Sequence, residues 1–180
     1  KAKNQSPINI DTELTKLCKS LCTFDLQYKN TTCMVNNKNN LVNIKCSPGS
    51  YLIYDNTPFE LTNITIHTPS LHTIDGGKSD VEICMVHKLS ATANSEINGI
   101  ILSRFFEKGP NYGTPENFMN QIINDLPYET IEYDKEINVS TSWGPSMLLP
   151  KENKSYFTYD GTLPYPPCSE NYKWFIYEDI

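Results

Sequence analysis

Between Ile64 and Lys88 the chain gathers the side chains that ligate metals and carry protons. His67, His72 and His87 all fall here, and they are the only three histidines among 180 residues. Glu82 and Cys84 stand beside them. Imidazole titrates close to neutral pH, and imidazole, thiolate and carboxylate are the common ligands of zinc. Thr62 to Thr68 alternates with a strand's two-residue period, which puts Thr65 and His67 on one face and Ile64 and Ile66 on the other. Val81 to Lys88 does the same and groups Glu82, Cys84 and Val86. His87 is out of phase with Cys84 and faces the other side of its strand.

The surrounding chain reads as β-rich. A length of 180 residues predicts one domain, residues 1–180, with enough chain to bury a substantial core. Thr31 to Asn36 and Leu41 to Cys46 are expected to form two strands around an Asn-Lys-Asn-Asn turn, with Cys33 and Cys46 placed to pair across it. Gly99 to Phe106 reads as a central strand buried on both faces, and Tyr172 to Tyr177 as a further aromatic strand. One helix is expected: Thr114 caps it, Pro115 suits its first turn, and Phe118, Met119, Ile122, Ile123 and Leu126 recur at helical spacing before Pro127.

Composition narrows the classes of function. Net charge is −6, Arg104 is the single arginine, and no basic run exists, so nucleic acid is excluded as the expected partner. No apolar stretch is long enough to span a bilayer. The start shows no signal-peptide pattern, as a chain beginning at Lys1 after cleavage also would not. Six cysteines fit no zinc-finger spacing; Cys18 and Cys22 give C-x3-C with no second pair. Acceptor sequences for N-glycosylation occur at Asn30, Asn63, Asn138 and Asn153. Cysteines and acceptors together point to a secreted, surface or lumenal compartment.

Three blocks carry a resemblance. They are Gln5-Ser6-Pro7-Ile8-Asn9-Ile10, the segment from Ile64 to Lys88, and Tyr156 to Cys168 followed by Trp174. In this order they resemble the α-class carbonic anhydrase family, and most closely its catalytically inactive, cell- or virion-surface members. The implied fold is mainly β with few helices, a central, twisted, mostly antiparallel sheet. The resemblance also implies a domain shortened at both ends, because the family's first segment and last strands have no counterpart and Ile180 falls where a typical member continues.

The family holds zinc with three histidines, and those positions correspond here to Thr65, His67 and Cys84. A threonine hydroxyl that accepts from the zinc-bound hydroxide, and the glutamate behind it, correspond to Pro164 and Leu71. The family's second threonine corresponds to Tyr165, and its ligand-orienting glutamate to Glu82. The proton-shuttle position falls in the 36–40 turn, at Asn40, which does not titrate. Cys168 stands where secreted members keep a cysteine, and its partner is left open, with Cys18 and Cys22 as candidates.

These replacements lead to an expectation. The chain should be a catalytically inactive carbonic-anhydrase-like module for binding or assembly. It should need no zinc or other cofactor, and its contacts should be a protein partner, a larger assembly or a glycan. The alternative is a zinc-dependent carbonic anhydrase with an atypical ligand set of His67, Cys84 and water.

Overall fold

Short alternating segments separated by turns build one large sheet. The computed structural model describes residues 4–20, 22–38, 41–107, 136–138, 144–151 and 155–178. Twelve strands follow in chain order: β1 (Asn9–Ile10), β2 (Asp25–Gln27), β3 (Cys33–Lys38), β4 (Leu41–Cys46), β5 (Tyr51–Tyr54), β6 (Thr57–His67), β7 (Thr73–Ile74), β8 (Val81–Leu89), β9 (Gly99–Phe106), β10 (Glu136–Asn138), β11 (Tyr156–Gly161) and β12 (Tyr172–Tyr177). A 3-10 turn, Pro145–Leu148, is the one helical element among the described residues. The expected helix over 114–126 lies outside the described residues, as does the Asn40 position.

The main sheet runs in the order β10-β3-β4-β6-β8-β9-β12-β11, with β5 pairing on β6 and β2 on β5. Its pairs are antiparallel except for β9 with β12. The mainly β, mostly antiparallel architecture is therefore present. The strands expected at 41–46, 99–106 and 172–177 match in their bounds. β6 begins at Thr57, five residues before the alternation expected from Thr62.

A bulge in β6 decides which face the candidate residues occupy. Pairing with β8 slips by one residue between Leu61 and Asn63. Ahead of the slip, Phe59 and Leu61 enter one apolar cluster; after it, Ile64 and Ile66 do. The extra residue reverses the strand's phase. It leaves Asn63, Thr65 and His67 on the opposite face.

The two faces of the sheet bury different material. One is covered by Val35, Ile44, Leu52, Phe59, Ile64, Met85 and Phe175 with their neighbours. The other packs Cys84, Val86, Ile101, Phe105 and Trp174 and carries the polar residues described below. Cys33 and Cys46 face each other across the β3–β4 hairpin and are disulfide-bonded, as their symmetry about the turn predicts. Cys18 and Cys22 form a second disulfide, while Cys84 and Cys168 are free.

The Gln-Ser-Pro motif docks against the turn after β7. Asn9 Oδ1 accepts from Thr73 Oγ1 at 2.7 Å and from the Gly76 amide at 2.8 Å. Gly76 has φ +81°, a conformation that glycine adopts without strain. Asp75 holds both the amide and the hydroxyl of Thr12, which lowers its pKa below the usual carboxylate range.

Candidate active site

Neighbouring antiparallel strands bring the candidate residues together. Thr65 on β6 pairs with Cys84 on β8, and His67 pairs with Glu82. Thr65 Oγ1 lies 2.9 Å from His67 Nε2 and also reaches the Cys84 thiol. An imidazole, a hydroxyl and a thiol thus converge on one face. Thr65, Cys84 and Glu82 are buried, and His67 is half-buried.

Burial sets the acid–base state of this group. It pushes the Cys84 thiol well above its ordinary pKa, and the Glu82 carboxylate nearby pushes it further. Burial lowers the pKa of His67, which Glu82 partly offsets. Both groups are therefore neutral near pH 7, and Cys84 can ligate a metal only after losing its proton.

Behind Cys84 lies a saturated carboxylate. Glu82 Oε1 accepts from Ser103 Oγ at 2.6 Å and contacts His72 Nδ1 at 2.7 Å. Oε2 accepts the backbone amides of Leu71 and His72 at 2.8 and 2.9 Å. The Cys84 thiol points at Oε1 from 3.6 Å. Burial alone would raise the pKa of Glu82; the hydrogen bonds and charge of His72, with Ser103, outweigh it and hold the group below the usual range. His72 Nε2 continues to Tyr159 Oη at 2.8 Å, which meets Ser6 Oγ at 2.8 Å. Ser6 in turn accepts the Thr162 amide at 3.0 Å. This chain ties the first and third sequence blocks to the second.

The remaining predicted positions take varied roles. Leu71 contributes its backbone amide to Glu82, and its side chain packs on the Cys84 cluster. Pro164 and Tyr165 follow the turn that Trp174 Nε1 fastens through the Thr162 carbonyl at 3.0 Å. Tyr165 Oη accepts from Asn63 Nδ2 at 3.4 Å. Asn63 is half-buried, and its side-chain amide hydrogen-bonds Asn43 and Tyr165. Asn30 is exposed, Asn138 lies in β10, and Asn153 is outside the described residues.

Comparison with known proteins identifies the chain. A family model for eukaryotic-type carbonic anhydrase matches residues 1–180. The chain belongs to the carbonic anhydrase family. A carbonic anhydrase from Nostoc is 34% identical over 149 residues, covering 83% of this chain and 52% of the relative. One from Pectobacterium carotovorum is 29% identical, covering 97% of this chain and 65% of the relative. This chain thus spans between half and two thirds of those relatives. The α-carbonic anhydrase of Thermovibrio ammonificans, solved in complex with the inhibitor sulfanilamide, superposes with a TM-score of 0.82 at 29% identity, covering 98% of this chain and 72% of that one.

These findings correct two expectations. The reading as a non-enzyme is overturned, because relatives at 29–34% identity are named carbonic anhydrase and a structural neighbour is an inhibitor-bound carbonic anhydrase. The expectation of no cofactor is overturned likewise, because the family points to zinc.

The side chains fit that metal only in part. His67 and Cys84 are zinc donors by type, while the neutral Thr65 hydroxyl is a poor one. Among the described residues no group of three His, Cys, Asp or Glu is placed to hold a metal. The family's three-histidine centre does not fit these residues.

Sequence reasoning gave no role to Ser103 or to the side-chain amides of Asn36 and Asn43, which hydrogen-bond each other across β3 and β4, and it named Ser6 and Tyr159 only as members of the motif blocks. The only signal for the two asparagines is their place in strands, and in an Asn-rich chain that signal is drowned by composition.

Proposed function

We propose that this chain is the core of a zinc-dependent carbonic anhydrase that hydrates carbon dioxide with an altered ligand pair, His67 and Cys84. The observation that carries the reading is the convergence of His67 and Cys84 about Thr65, in a chain matched by the family model over residues 1–180. Zinc bound there would lower the pKa of its water toward about 7, the chemistry that carbon dioxide hydration uses. His67 contributes a neutral imidazole, since burial lowers its pKa. Cys84 must give up its proton to ligate, against the burial and the Glu82 charge that retain it. Glu82 already holds the strand through His72 and Ser103, so Cys84 is presented from a rigid support.

Residues 1–180 are read as one domain. The two disulfides support an oxidising, secreted or lumenal compartment.

Metal analysis of untagged protein beside a stopped-flow hydration assay tests the reading. One zinc per chain, lost in His67→Ala and in Cys84→Ser, together with hydration blocked by sulfanilamide, is the expected result. Protein that carries no zinc and hydrates carbon dioxide no faster than buffer overturns it.

A further inference from the structure

The two disulfides sit in unlike surroundings. Cys33 and Cys46 are 2% and 7% exposed, belong to the apolar cluster, and stand opposite each other in the β3–β4 ladder. Strand pairing keeps those sulfurs together whether or not they are bonded, so the bond re-forms readily and few reagents reach it. Cys18 is exposed and Cys22 half-buried, in a stretch from Ile10 to Asp25 that holds no strand among the described residues. Their bond spans a sequence separation of 4, against 13 for the other pair. Closing a short loop stabilises a fold less than closing a long one. By linkage, the fold protects Cys18–Cys22 against reduction less than it protects Cys33–Cys46.

The immediate surroundings of Cys18–Cys22 favour its reduced form. The Ser20 carbonyl lies 3.5 Å from Cys18 Sγ and 3.0 Å from Cys22 Sγ, so an acceptor for either S–H is in place when the bond opens. Lys16 and Lys19 are exposed neighbours in sequence, and positive charge eases release of a thiolate. The Tyr156 hydroxyl donates to the Cys22 carbonyl and ties that cysteine to β11. Cys18 instead lies on the wall of a groove of about 590 Å³ that it shares with Ile8, Ile10, Leu17, Tyr156 and Phe157. A reagent entering that groove meets Cys18 Sγ.

We infer that Cys18–Cys22 is a thiol–disulfide exchange site that accepts electrons from a pair of cysteine thiols on another polypeptide, with Cys18 as the sulfur attacked. A substrate thiolate bonds to Cys18 Sγ, the Cys18–Cys22 bond breaks, and its electron pair leaves on Cys22, which takes up a proton. The substrate's second thiolate then attacks the substrate sulfur of the mixed disulfide. Cys18 leaves as a thiolate and is protonated in turn. The substrate has lost two electrons and two protons and become a disulfide; Cys18 and Cys22 have gained them as two thiols. A small disulfide of the glutathione type restores the bond by the same exchange in reverse.

The test uses the whole chain carrying Cys168→Ser, which removes the exposed free thiol. The protein is equilibrated in graded mixtures of reduced and oxidised glutathione, and each cysteine is read by differential alkylation and mass spectrometry. The equilibrium constant for opening Cys18–Cys22 should exceed that for Cys33–Cys46 by at least about a hundredfold. A reduced peptide with two cysteines, mixed with the oxidised chain, should become a disulfide one for one with the loss of Cys18–Cys22. Single variants in the same background then assign the sulfur. Given that peptide in its disulfide form, Cys22→Ser should hold a stable mixed disulfide on Cys18. Cys18→Ser, whose remaining thiol is half-buried, should trap the peptide about tenfold more slowly. Circular dichroism confirms that both variants fold. A Cys18–Cys22 bond no easier to open than Cys33–Cys46, or a peptide left reduced, overturns the exchange site. Equal trapping by the two single variants overturns Cys18 as the sulfur attacked.

Discussion

The two faces of β8 solve the burial of a histidine in opposite ways. On one face Ile83 and Met85 enter the apolar cluster, and His87 shares that face. His87 is wholly buried there, with Nε2 2.7 Å from Tyr28 Oη and Nδ1 3.2 Å from the Ile100 carbonyl. Burial drives its pKa down to about 4, so it is neutral. On the other face Glu82 keeps its charge under cover by gathering His72, Ser103 and two backbone amides. A neutral ring needs two partners; a buried carboxylate needs a full shell. The Glu82 face therefore holds a charged support directly behind His67 and Cys84, which meet at Thr65. Support and presented groups are separable, and substitutions can tell them apart.

The largest break is Glu82→Leu. It strands the amides of Leu71 and His72, the His72 ring and the Ser103 hydroxyl in a buried site, and should cost about 3–5 kcal/mol by urea unfolding. A loss below about 1 kcal/mol would mean that water replaces the carboxylate and that the support is not rigid.

Acid should weaken the opposite face first. His87 has a folded pKa of about 4 against 6.5 when unfolded, so the unfolded state binds the extra proton between those values. Stability is full above pH 6.5, falls as pH drops toward 4, and changes no further from this group below that, a loss of about 3 kcal/mol. The depressed pKa of Glu82 acts lower: its contribution is present above the ordinary glutamate value of 4.5 and is lost as pH falls through the folded value. His87→Gln should flatten the upper window alone. An unchanged profile between pH 6.5 and 4 in that variant would remove the neutral-histidine account.

The Cys33–Cys46 bond closes the hairpin beside the His87 face, with a sequence separation of 13. Replacing both cysteines by serine should cost about 3 kcal/mol while leaving zinc content unchanged. Loss of zinc in that variant would show that the two faces are coupled.

The smallest effect on stability belongs to the donor pair. Thr65→Ala removes one hydrogen bond to His67 and should cost about 1 kcal/mol. Thr65→His adds a second imidazole and should tighten zinc by at least about tenfold, read by competition with a chelator. Weaker zinc binding in Thr65→His would place the metal elsewhere.

Much of this was legible along the chain. Alternation placed Thr65 with His67 and set His87 against Cys84, because a strand's period of two is local. The hairpin disulfide followed from symmetry about a turn, and the strands at 99–106 and 172–177 from apolar runs. The Cys18–Cys22 bond did not follow, because a C-x3-C spacing leaves the loop's shape undetermined. The functional conclusion drawn from the missing histidine ligands was wrong about enzyme and cofactor, since single-residue losses weighed more than the whole-chain kinship.

The sequence by itself determined which side chains could serve and which of them share a strand face. Tertiary structure alone decided which way that face looks, through the one-residue bulge between Leu61 and Asn63. It alone brought Glu82 to His72 and Ser103, and Asn63 to Tyr165. The reason is register: partners across a sheet are chosen by how strands slide and pair over long separations. A slip of one residue turns every side chain to the other face.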